Sequence, residues 1–349
     1  MRKCSLVTLL VTMALTVACG GADDGATTPD AESSTSTLAA TVTPTAPTTT
    51  ATAEPTPTPL SSRRVTPQRQ TLLAAVENTA LAPSYRYDYQ VEISRLATLP
   101  VNVTSVTIAA SGANDPATGS AEMTVDFSNL VAALSEGSSD PEAGAILQAI
   151  FGHEPLEFRY LAGVAYLRGP LISAVLDVPT NWVSFPAELD ESAQSLGSLG
   201  FGDFNSQEEI LSFLTEIYGV ETVGTEEIRG VATTHYSGVI SLATLLTLSD
   251  PDKAAQIESD LSIQLEDHLG DAPLDVWIDA DGIIRRVVLA TDFSDFGGVG
   301  RYAEEAVGAV TLTYEIYDVG EPIYIEYPPF DDITPVDDTF LSGVAIPTS

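Results

Sequence analysis

The sequence predicts an α+β domain built on an antiparallel β-sheet, and three observations point there. Pro273 to Leu289 reads PLDVWIDADGIIRRVVL, in which Leu274, Val276 and Ile278 alternate with Asp275, Trp277 and Asp279. That is the period of two a strand needs. Asp281-Gly282 then supplies turn chemistry, because Gly accepts positive φ and Asp can bond nearby backbone amides. Ile283, Ile284, Val287, Val288 and Leu289 begin a return strand. Second, Tyr85 to Arg95 alternates Tyr85, Tyr87, Tyr89, Val91 and Ile93 with Arg86, Asp88, Gln90, Glu92 and Ser94. One buried and one wet face is the pattern of antiparallel sheets. Third, helical periodicity is confined to a few short stretches. A nucleotide-binding α/β fold is not indicated.

The chain opens with export chemistry. Arg2 and Lys3 precede an apolar run, Leu6 to Val17, that is too short for a spanning helix of about 20 residues. The run ends in Leu15-Thr16-Val17-Ala18-Cys19. A small residue before Cys at this place resembles the bacterial lipobox, which implies a signal peptide over 1–18 and a diacylglycerol-bearing Cys19. Cys4 leaves with the signal, so no intrachain disulfide is expected and the fold rests on its core. From Gly20 to about Ser62 the chain is Thr, Pro, Ala and Ser with almost no large apolar residue. Such a segment buries too little surface to offset its ordering entropy, so 19–64 reads as a lipidated, disordered tether. Its reach as a flexible coil is on the order of 35 Å. Residues 65–330 read as one domain and 331–349 as an acidic tail.

In order, strands are expected at Tyr85–Arg95, Val101–Ala110 and Gly119–Phe127. Asn102-Val103-Thr104 fits a glycosylation triplet, a pattern too common to carry weight. A short helix follows at Leu130–Leu134, and Asp140-Pro141 caps another that runs to about Phe151. Leu156, Phe158 and Tyr160 alternate, Ala162-Gly163 turns, and Val164–Leu167 returns; Trp182–Phe185 is a further short strand. Ser206 and Glu209 have capping-box spacing. After them Ile210, Leu211, Phe213, Leu214, Ile217 and Tyr218 mark one apolar helix face, stopped by Gly219. That face either packs on the sheet or roofs a cavity. Val220–Glu227 and Val231–Ile240 pair around Arg229-Gly230. Leu242–Leu248 and Asp250–Leu269 are helical, Ala306–Asp318 and Ile323–Tyr327 are closing strands, and Pro328-Pro329 ends regular structure. Asp331, Asp332, Asp337 and Asp338 lie in a loose tail.

The chemistry of the common enzyme classes is missing. The histidines, His153, His235 and His268, have no His or Cys partner at metal-ligand spacing, and His235 beside Tyr236 reads as a structural histidine. No G-x-S-x-G, P-loop or H-E-x-x-H motif occurs. Asp279-Ala280-Asp281-Gly282 matches the centre of a calcium loop, but Trp277 and Val288 stand where its first and last ligands should be. A carboxylate pair for glycoside chemistry stays open among so many acids, but nothing singles one out, so the sequence indicates neither an enzyme nor a metal site nor a cofactor. With 49 acidic against 14 basic residues and a formal charge of -35, it also argues against nucleic acid and against electrostatic docking on anionic lipid. Solubility, or life in salty surroundings, accounts for the acidity, and a basic partner or divalent cations are the alternative.

Three stretches carry a family resemblance: GTEEIRGVATTHYSGVISL (Gly224 to Leu242), PLDVWIDADGIIRRVVL, and VTLTYEIYDVGEPIYIEYPP (Val310 to Pro329). Together they resemble the LppX/LprG-type lipoproteins of the LolA-like superfamily, over roughly the second half of the domain; the first half matches in pattern only. The resemblance implies a strongly curved antiparallel sheet, a half-barrel, with helices packed in its concave face around an apolar cavity for acyl chains. It implies a lipid or lipoglycan ligand, with Ile210, Phe213, Leu214 and Ile217 as candidate cavity residues. The whole then reads as an extracytoplasmic protein, lipid-anchored to the cell membrane through Cys19, that binds or carries an amphiphile. A non-enzymatic sensor or structural lipoprotein that contacts a protein partner is the alternative, and the sequence names no such partner.

Overall fold

A computed structural model of the chain describes residues 66–94, 105–137, 154–170, 172, 178–186, 206–249, 254–255, 258–259, 269–292 and 308–336. Cys19, the tether, the Asn102 triplet, the expected Asp140–Phe151 helix, His153, His268, Asp337 and Asp338 lie outside these residues. Of the expected Asp250–Leu269 helix, 254–255 and 258–259 are helical.

The elements are α1 (Pro67–Ala80), β1 (Tyr85–Ser94), β2 (Ser105–Asp115), β3 (Ser120–Asp126), α2 (Ser128–Gly137), β4 (Leu156–Leu161), β5 (Val164–Arg168) and β6 (Trp182–Pro186). After these come α3 (Ser206–Thr215), β7 (Tyr218–Ile228), β8 (Val231–Ser241), α4 (Leu242–Ser249), β9 (Asp271–Asp279), β10 (Ile284–Asp292), β11 (Ala309–Tyr317), a single 3-10 turn (Phe330–Asp332) and β12 (Ile333–Pro335). They form one twelve-stranded sheet, ordered β12-β6-β5-β4-β3-β2-β1-β11-β10-β9-β8-β7. The ends β7 and β12 do not pair, so the sheet is open. Its pairs are antiparallel except β12 on β6, where Ile333 faces Trp182 in a parallel register. The sheet is thus mixed, although every hairpin in it is antiparallel.

Alternation sets the two faces. On β1, Tyr85, Tyr87, Tyr89, Val91 and Ile93 are buried, as the sequence pattern requires. They join one continuous apolar cluster with Val106 and Ile108 of β2, Val183 and Phe185 of β6, Val276 of β9 and Ile240 of β8. Leu72 of α1, Leu130 of α2 and Leu214 of α3 belong to the same cluster, so these helices cover that face. Twelve strands laid flat would span roughly 50 Å. The sheet curves around this cluster, and so strands from both halves contribute to one interior.

The opposite face is polar over β1, β11, β10 and β9. Arg229, at the β7–β8 turn, leans across it to Asp88 and Glu315, with its guanidinium 4.1 Å from the Tyr317 ring centre. Glu226 accepts from the Trp277 indole at 2.7 Å. These contacts fold the end of the hairpin over the sheet.

Turn geometry follows the sequence at three places. Ala162 and Gly163 adopt φ 49° and 79°, and Arg229 and Gly230 adopt 50° and 84°. Paired left-handed residues of this kind match the twist of the flanking strands. Gly282 has φ 77°. The residue that bonds the turn amides is Asp279, not Asp281: its Oδ1 accepts from Asp281 N at 3.0 Å and from Ile283 N at 2.9 Å.

Several expectations change. Helix α1 was not anticipated; Thr66 caps it, accepting from Arg69 N at 3.2 Å, and Pro67 starts it. Strand β2, Ser105–Asp115, extends past the expected end at Ala110, while 101–104 lie outside the described residues. Helix α3 ends at Thr215, and Tyr218 already belongs to β7; Gly219 is a left-handed residue inside that strand and does not stop the helix. Ile323–Tyr327 forms no strand. Its Ile325 packs instead on Leu161, Tyr166 and Trp182, on the outer side of β4–β6, while Arg159 donates to Glu326 O at 2.8 Å. Regular structure continues past Pro329, where Asp332 accepts from Asn181 N at 2.9 Å and leads into β12.

Candidate ligand-binding site

The interior is built from the inward residues of the sheet and the helices laid over them. Helix α3 has Ile210, Leu211, Phe213 and Leu214 on its buried side, and all four enter the central apolar cluster. Ile217 enters it too, from the link into β7 and not from the helix. Its seat is specific: a Cβ at Gly238 of β8 would lie 2.8 Å from Ile217 Cδ1, so the absence of a side chain at 238 lets Ile217 press on the sheet. The four sequence candidates therefore come together. All four belong to the central apolar cluster, and Leu214 is fully buried.

Beside this region sits a tyrosine cluster that the alternation placed on the inner face without marking as a site. Tyr87 and Tyr314 rings lie 5.7 Å apart, Tyr89 and Tyr314 6.5 Å, and Tyr85 and Tyr87 6.3 Å. A Cβ at Gly112 would lie 2.5 Å from the Tyr87 ring, so β2 leaves room for that ring with a glycine. Burial pushes the Tyr85 hydroxyl up to about 12, partly opposed by the hydrogen bond from Asn114. Burial, with its tyrosine neighbours, pushes Tyr314 well above the ordinary phenol range. Tyr85 and Tyr314 are therefore neutral at physiological pH. The Tyr314 hydroxyl is buried with no hydrogen-bond partner among the described residues. The described interior thus consists of apolar surface with a few buried phenol hydroxyls.

Of the titratable groups that the sequence singled out, the described His235 and Asp279 lie on the other face or in a turn. His235 Nε2 is 2.9 Å from Asp275 Oδ1, and its ring stacks on Trp277 at 4.2 Å. This is the structural role expected of it. Asp279 is occupied by the turn amides and by Arg285 Nε at 2.6 Å. Among the described residues no group of three or more His, Cys, Asp or Glu could hold a metal, and no helix is long and apolar enough to cross a membrane.

Fold and interior together define an open-sheet α+β domain with one apolar, helix-covered face. No family model and no curated protein matches the sequence. Solved structures do match. LppX, a lipoprotein of Mycobacterium tuberculosis, is 12% identical over 74% of this chain and 98% of its own, with a TM-score of 0.38. LprF from Mycobacterium bovis is 17% identical over 75% and 96%, with a TM-score of 0.39. A LolA superfamily protein from Nitrosomonas europaea is 9% identical over 75% and 99%, with a TM-score of 0.23. Likeness of this degree leaves function to be read from the chain's own residues.

Proposed function

We propose that this chain is an extracytoplasmic lipoprotein, tethered to the cell membrane by acylated Cys19, whose domain binds a lipid or lipoglycan between α3 and the inner face of the sheet. The observation that carries the reading is the division of the sheet. Ion pairs and hydrogen bonds cover one face, while the other gathers aliphatic and tyrosine side chains under separate short helices. Short helices over a curved apolar sheet can part from it without breaking a strand ladder. Each acyl methylene taken from water into such an interior contributes about 0.8 kcal/mol. The motifs shared with LppX/LprG-type lipoproteins and the Ala18-Cys19 junction support the same reading. No reacting group, metal or cofactor is needed for this function, and the ligand enters and leaves unchanged.

Two measurements test it. Mass spectrometry of an organic extract of the purified protein should find a co-purifying amphiphile, and the delipidated protein should take up a fluorescent fatty acyl probe. A protein that yields no lipid and binds no probe is not a carrier, and the sensor or structural role would replace this one. Cys19→Ser should abolish metabolic lipid labelling and shift the protein from membrane to soluble fractions; a variant that keeps its label would refute the tether.

A further inference from the structure

Arg69 is set apart from the other described arginines. Arg86, Arg159, Arg168, Arg229, Arg285 and Arg286 each lie within ion-pair distance of an Asp or Glu. Among the described residues Arg69 pairs with no carboxylate, although the chain is strongly acidic. Its Nη2 donates to the Thr215 carbonyl at 3.0 Å, and its Nε is buried without an acceptor. A buried charged donor left unmatched is costly, so a cation kept in this state is one that an outside acceptor can complete.

Its position adds to this. Arg69 stands in the first turn of α1, near the positive end of that helix, and its guanidinium rests on the last residue of α3. Two residues further on, Ile217 begins the apolar lining, which continues back along α3 through Leu214, Phe213 and Ile210. Arg69 itself is half-buried, so it stands at the rim of the interior. The order from rim to core is therefore a cation with a free N–H, then aliphatic and aromatic surface.

We infer that Arg69 is the headgroup-binding residue for an anionic amphiphile: its guanidinium takes a phosphate or carboxylate oxygen while the acyl chain lies along α3. This deepens the carrier reading and rests on it. The net charge of -35 repels anions at long range, so the selection is local and depends on this one donor.

The test uses the full chain carrying Cys19→Ser and three probes: 1-palmitoyl lysophosphatidic acid, 1-monopalmitoylglycerol, and inorganic phosphate. The two lipids share chain and glycerol and differ in the phosphate. The parent should bind the phosphorylated lipid about tenfold more tightly. Arg69→Gln should erase that preference while leaving monopalmitoylglycerol affinity unchanged, which also shows that the variant is folded. Arg69→Lys should restore part of the preference. Equal affinities in the parent, or a preference that survives in Arg69→Gln, would overturn the headgroup assignment and leave the carrier reading standing. Binding of neither lipid would end the carrier reading. In that event, binding of inorganic phosphate lost in Arg69→Gln supports a free-oxyanion site at Arg69, and no phosphate binding removes the site altogether.

Discussion

Asp279 should be the most sensitive single side chain of the β9–β10 hairpin, and Asp279→Ala measures it. Its side chain is 3% exposed and accepts from Asp281 N, Ile283 N and Arg285 Nε. Removing the carboxylate leaves the Arg285 guanidinium, itself 14% exposed, without its partner. Loss of one member of a buried pair costs about 3–5 kcal/mol. The two turn amides add little, because the exposed turn lets water reach them, so about 3 kcal/mol is expected. For a chain of this size that lowers the melting temperature by roughly 6–12 °C. Asp281 is exposed, and Asp281→Ala should change stability by no more than about 0.5 kcal/mol. Thermal unfolding followed by circular dichroism on both variants and on Asp279→Ala with Arg285→Met decides the matter. The double variant should recover part of the loss, since it no longer strands a charge. Equal effects of Asp279→Ala and Asp281→Ala, or a loss under about 1 kcal/mol for Asp279→Ala, would refute the account of the turn.

Three other perturbations follow from the same geometry. Gly282→Val places a β-branched residue at φ 77° with its Cβ 2.7 Å from Asn78 Nδ2; the amide can swing away but the backbone cannot, so a loss of about 1–3 kcal/mol is expected with acyl-probe affinity unchanged, and an unaltered melting temperature would refute it. Burial alone would raise the pKa of Glu315, but hydrogen bonds from Arg229 and Arg286 outweigh it and hold the carboxyl below the ordinary range. Because the folded value is the lower one, this stabilisation is complete above the unfolded value of about 4.3 and is lost as pH falls through the folded value. The gap in melting temperature between parent and Glu315→Gln should therefore close below about pH 4, and a gap constant with pH would count against the pairing. Leu214→Trp should leave the melting temperature near that of the parent and weaken acyl-probe uptake if α3 roofs a ligand space; a loss of about 1–3 kcal/mol with uptake unchanged would make Leu214 ordinary close-packed core.

What the sequence made legible was local. Tyr85 to Ser94 alternates without a break, and the Ala162-Gly163 and Arg229-Gly230 pairs can hold the left-handed geometry a tight hairpin needs. Elements fixed by distant partners were not legible. Strand β2 runs on through Ala109, Ala110, Ser111, Gly112 and Ala113, whose small side chains show no contrast between faces; the room they leave is taken by the Tyr87 ring from β1. Ile323 to Tyr327 has the composition of a strand, yet a ladder requires a free edge. Here the segment lies over Leu161, Tyr166 and Trp182, and the edge beside β6 is taken by β12. Helix α1 carries only Leu72, Ala75 and Thr79 on its buried side, too thin a stripe to announce itself, although Thr66-Pro67 is a sound helix start.

The same division applies to the site. The apolar face of α3 was legible in Ile210, Phe213 and Leu214, because helical spacing alone puts them on one side. Where that face ends was not. The helix stops at Thr215, and its last carbonyl is met by Arg69, 146 residues earlier in the chain, so no neighbouring glycine had to terminate it. Ile217 then turns inward off the helix onto Gly238, a contact that depends on two strands meeting. The rim of the interior is thus made where α1, α3 and β8 converge, and its one described cation comes from the helix with the weakest pattern. A purely apolar roof would select ligands by chain length alone. On the proposed carrier reading, the Arg69 guanidinium would add selection by headgroup charge, which the Ile210 to Leu214 side chains cannot supply.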